Sequence, residues 1–175
     1  MNQLPTARHR PLNDRRPLNP RICPIAIDAN ALNRDSSAHD GPVDRLLKLW
    51  AGGTINLIVP KGVRLEILDP RTPGHIQAAA APMIFTIPVG LNSDEQRRRR
   101  LIEQELQGNA RPGKHAADAD HLSEAAKYGG YFITHDKRIL DKASKIRSLL
   151  PPSLTVVTLA EFLEIFDDYE TGQLI

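Results

Sequence analysis

Short, continuous apolar runs recur along the chain, and helical periodicity fills the intervals between them. The runs "ICPIAI" (22–27), "INLIV" (55–59), "YFIT" (131–134) and "LTVV" (154–157) predict strands buried on both faces. Val43, Leu46, Leu47 and Trp50 follow the i, i+3, i+4, i+7 spacing of one helical stripe, and Ile139, Ala143, Ile146 and Leu150 form another. Capping boxes are predicted in "SDEQ" (93–96) and in "TLAE" (158–161), just after the last strand. The prolines of "PMIFTIPVG" (82–90) favour an edge strand or a loop. Strands alternating with helices imply a parallel sheet covered on both sides. The expected class is α/β, a three-layer α/β/α sandwich around a central parallel sheet of four to five strands.

Composition changes this picture mainly at the N-terminus. Residues 1–21 hold Arg8, Arg10, Arg15, Arg16 and Arg21 against a single acid, Asp14, with no periodicity. They read as a flexible basic arm preceding one folded domain over 22–175. The length of 175 residues suits such a single domain, and the net charge of +2 says little about partners. The one cysteine, Cys23, excludes an internal disulfide framework and fits a reducing compartment. No apolar stretch approaches the ~18 residues that span a membrane. A cytoplasmic location is expected, and no membrane partner.

Candidate chemistry lies in carboxylates placed where strands end. In open parallel sheets, ligands bind outside the carboxyl ends of the strands. Asp28 follows the first strand directly, in "IAIDAN", and Asp136 follows "YFIT" after one residue. The helical stretch "HAADADHLSEAAKYGG" offers Asp118 and Asp120, which lie ~200° apart around a helix and cannot share one site. Asp118 shares an inward stripe with Leu122 and Ala125, whereas Asp120 falls with Ser123, Glu124 and Lys127 on the polar side. Glu66 adjoins Val63 and Ile67 on the buried stripe of a short helix. Each acid also has a plain structural role open to it, as a helix cap or an ion-pair partner. Together they are harder to explain that way. Two carboxylates ~5 Å apart repel by roughly 3 kcal/mol at an effective dielectric of 20, so a cluster of four raises its pKa values or recruits cations. Oxygen donors select Mg2+ or Mn2+ over zinc.

In order and spacing these segments resemble the PIN domain family, metal-dependent nucleases that include VapC-type toxins. The resemblance spans about residues 22–166 and rests on "IAIDANAL", "LIVPKGVRLEIL", "DADHLSEAAKYGGYFITHDKRIL" and "LTVVTLAEFL". It implies an acidic tetrad, here Asp28, Glu66, Asp118 and Asp136. The tetrad would hold one or two Mg2+ or Mn2+ ions that activate water for phosphodiester hydrolysis, usually of single-stranded RNA. Asn30 stands where members often carry Ser or Thr, and Thr134 is a hydroxyl placed to orient a ligand or phosphate. His115, His121 and His135 flank the acids, and a flanking histidine is more often solvated than catalytic. Expected partners are single-stranded or structured RNA, an antitoxin protein and a second copy of the chain. The rival reading is a non-catalytic RNA-binding or interaction module that keeps the fold.

Overall fold

The computed structural model describes residues 18–33, 37–87 and 90–172. Five strands form one all-parallel sheet: β1 (Pro24–Ile27), β2 (Asn56–Val59), β3 (Ile84–Phe85), β4 (Gly130–Ile133) and β5 (Leu154–Val157). Their order is β3-β2-β1-β4-β5. The chain thus builds outward from β1 to one edge, then crosses back and builds from β4 to the other. The reversal lies between β1 and β4, and the crevice beyond their carboxyl ends is where such sheets bind ligands.

Strand periodicity sends alternate residues to opposite faces. Ile25, Ile27, Leu57, Val59, Tyr131 and Ile133 pack into one apolar core with residues of α1 (Ser37–Ala51) and α8 (Leu159–Glu170). Ala26, Ile58 and Phe132 enter a second core with α4 (Ser93–Gln107) and α5 (Ala116–Tyr128). The predicted α/β/α sandwich is therefore observed. Gly130 allows β4 to lie against β1, since it has a φ of 77° and a Cβ there would fall 1.9 Å from the Pro24 carbonyl oxygen.

Several local expectations shift. The first strand begins at Pro24 rather than position 22, and a proline fits the first residue of a strand. Among the described residues of 82–90, only Ile84–Phe85 pairs, as an edge strand. The capping box of α4 uses Asn92 and Glu95, one residue before the predicted pair; Asn caps as well as Ser does. That of α8 uses Thr158 and Glu161 as predicted. The stripe from Ile139 to Leu150 divides into α6 (Lys137–Asp141) and α7 (Ala143–Arg147). Two short helices, α2 (Lys61–Ile67) and α3 (Gly74–Ala80), separate β2 from β3.

Of the predicted arm, residues 1–17 lie outside the described residues. Leu18 packs against the first core and its carbonyl accepts a 2.6 Å bond from the Tyr131 hydroxyl. Arg21 makes a two-pronged ion pair with Glu170, both contacts at 2.6 Å. Residues 18–21 thus dock on the domain. Among the described residues, no helix is long and apolar enough to cross a membrane.

Candidate metal centre

Asp28 leaves β1 in extended conformation and opens a short 3-10 turn over Ala29–Leu32. It is only 5% exposed. The fully buried Thr134, just past the end of β4, donates its hydroxyl hydrogen to Asp28 Oδ2 at 2.7 Å. The same Thr134 oxygen accepts from the Asp136 amide at 3.1 Å, and Asn30 Oδ1 accepts from the His135 amide at 2.9 Å. Side chains from each strand end therefore stitch the two together. Thr134 thus holds the Asp28 carboxylate, while Asn30 Oδ1 is taken up by the His135 amide and lies 3.4 Å from the Thr134 hydroxyl.

Asp136 caps α6, its Oδ1 accepting from the amides of Arg138 and Ile139 at 2.7 and 3.2 Å. The cap holds the carboxylate at the sheet edge and places it against the positive end of the helix. Asp118 lies in the first turn of α5, where His115 Nδ1 is 2.9 Å from its Oδ2. Glu66 projects from α2 with its side chain 46% exposed. Asp120 instead pairs with Arg99 of α4.

The four acids share one electrostatic neighbourhood. Burial raises the pKa of Asp28, opposed by the Thr134 hydrogen bond and the nearby His121, and assisted by the negative charge of Asp118. Burial also raises that of Glu66; His121 opposes it, while Asp28, Asp118 and Asp136 each add repulsion. Mutual repulsion of this kind is relieved by a proton or a cation.

Among the described residues, the compact donor set is not the tetrad. One ligand atom each from Asp28, Glu66 and His121 lie within 4.8 Å of one another. These three residues could hold a metal ion. Asp118 and Asp136 stand outside this set and act on it through charge. His121 is 3% exposed, and its Nε2 is 3.8 Å from Glu66 Oε1, too long for a hydrogen bond. Its position was legible, because residue 121 follows Asp118 by three and so shares the face of Asp118, Leu122 and Ala125.

Gly62 makes room for this histidine. A Cβ at position 62 would lie 2.5 Å from His121 Cδ2 and 2.8 Å from Nε2. The Gly62 amide also donates to Glu124 of α5 at 3.0 Å, tying the start of α2 to that helix. The inward face of α5 is wider than predicted. Ser123, expected on the polar side, is buried and returns its hydroxyl to the Ala119 carbonyl at 2.7 Å.

Compared with models of known protein families and with curated proteins, the chain matches none.

Proposed function

We propose that this protein is a PIN-type endoribonuclease that uses Mg2+ or Mn2+ to hydrolyse phosphodiester bonds of single-stranded RNA. One observation carries the reading: four carboxylates gather beyond the carboxyl ends of β1 and β4, with Asp28 almost fully buried among them. A fold has little reason to keep such repulsion unless a cation offsets it. Asp28 and Glu66 would hold the ion, with the charges of Asp118 and Asp136 beside them. The bound cation would supply positive charge for the pentavalent phosphorus and a water acidic enough to react at neutral pH. Thr134 keeps the Asp28 carboxylate aimed at the site, and the α6 cap keeps Asp136 beside it. Glu66, half exposed, forms the rim that an RNA strand meets first. An open cleft continues from Glu66 past Asp69, Arg71, Thr72 and Pro73, with the Arg71 side chain 91% exposed. Arg71 is available there for a phosphate, although it now pairs with Asp69.

The test is cleavage of labelled single-stranded RNA by purified protein with Mg2+ or Mn2+, with and without chelator. Cleavage is expected with metal alone. Equal cleavage in chelator, or none across a broad RNA panel with Mn2+, overturns the reading.

A further inference from the structure

His121 is a costly residue to bury beside two acids if it only fills space. Its ring is 3% exposed, and Gly62 gives up a side chain to admit it. At 3.8 Å, Nε2 and Glu66 Oε1 are too far apart to hydrogen-bond. Two donors each about 2.1 Å from one ion can be separated by up to about 4.2 Å, so that gap suits a shared cation. Asp28 completes a set of two oxygens and one nitrogen within 4.8 Å, and small side-chain shifts close the remainder.

We infer that His121 Nε2 is a direct ligand of the cation held by Asp28 and Glu66, and that it biases the site toward Mn2+ and later transition ions over Mg2+. The inference rests on the metal-dependent reading above but not on the reaction. Mg2+ is a hard ion that favours oxygen and gives up water reluctantly. Imidazole nitrogen suits borderline ions, whose affinities rise from Mn2+ onward. One nitrogen among oxygens therefore shifts the ratio of affinities more than it shifts affinity for Mg2+. The rival is that His121 merely pairs as a cation with Glu66 and Asp28, leaving any ion to oxygens alone.

Tag-free, full-length protein loaded with one equivalent of Mn2+ would be examined by pulsed electron paramagnetic resonance for coupling to nitrogen. Mn2+ and Mg2+ affinities would be measured by Mn2+ titration and Mg2+ competition, in the parent and in His121→Gln, which offers an oxygen near the position of Nε2. Directly bound imidazole nitrogen is expected in the parent and its loss in the variant. The preference for Mn2+ over Mg2+ should fall about tenfold in His121→Gln, with Mg2+ affinity changed less than about threefold. Absence of nitrogen coupling in the parent overturns the inference, and needs no variant to fold. Coupling and preference that survive in His121→Gln overturn it equally. Nitrogen coupling without RNA cleavage would sink the nuclease reading and leave this ligand assignment standing; cleavage without coupling would do the reverse.

Discussion

Burial and neighbouring acids hold the carboxyl pKa values of Asp28 and Glu66 above their ordinary range. The folded protein therefore keeps these protons to higher pH than the unfolded chain does. Linkage makes their contribution to stability greatest below the unfolded pKa and lost as pH rises through the folded one. In chelator, the melting temperature should climb as pH falls from 7.5 toward the range where ordinary carboxylates protonate. Asp28→Asn keeps an acceptor for Thr134 and removes the charge. It should melt higher than the parent at pH 7.5 and show a flatter pH dependence; a lower melting point would mark Asp28 as a purely structural acceptor. Gly62 provides a second check. Gly→Ala at an open helix position stabilises by up to about 1 kcal/mol. Here the new methyl meets a buried ring, and overpacking costs about 1–3 kcal/mol. Gly62→Ala should lower both the melting temperature and Mn2+ affinity. A more stable variant with unchanged Mn2+ binding would show that His121 has room to move.

At the scale of elements, α5 does most to compose the site. Its inward face presents Asp118 and His121 above Leu122 and Ala125, while Asp120 turns toward Arg99 on α4. Asp118→Asn should abolish RNA cleavage. Asp120→Asn should leave most of it and lower stability by about 0.2–1 kcal/mol, the usual range for a pair this exposed. Single-turnover cleavage rates and thermal melts of both variants separate the two roles, and the opposite pattern of rates would mean that Asp120 faces the RNA. Helical phase alone distinguished these two acids, because residues two apart cannot share a face. It misjudged Ser123, whose hydroxyl is satisfied within the helix by Ala119 and so tolerates burial.

At the scale of the whole molecule, the docked residues Leu18 and Arg21 and the acidic site lie at opposite ends of the sheet. Leu18 and Arg21 dock near the start of β4 and on α8, whereas the acids lie at the opposite, carboxyl end of the strands. Four arginines fall within residues 1–17. As an electrostatic tether to RNA, three of them would contribute a slope of about 2 in log affinity against log salt, at roughly 0.7 per phosphate on a single strand. Deleting residues 1–17 in an Asp118→Asn background should flatten the slope by that amount and weaken binding at low salt. The melting temperature should hardly move, because the deletion spares the Leu18 and Arg21 contacts. Identical salt slopes for the two proteins would leave these arginines no part in RNA binding.

The sequence by itself determined the layers and the places where carboxylates leave the strands. Both follow from local periodicity: apolar runs buried on two faces, stripes repeating at helical spacing, and Asp28 and Asp136 directly past two such runs. It also ordered the helix faces well enough to choose Asp118 over Asp120. Only the tertiary structure decided which donors meet. That β1 and β4 are neighbours depends on strand order, which no local pattern encodes. That Asp28, Glu66 and His121 converge depends on how closely α2 approaches α5, and Gly62 sets that distance. Ligand separations of a few ångströms arise from packing between segments far apart in the chain, so His121 stayed one of several flanking histidines until the helices were docked.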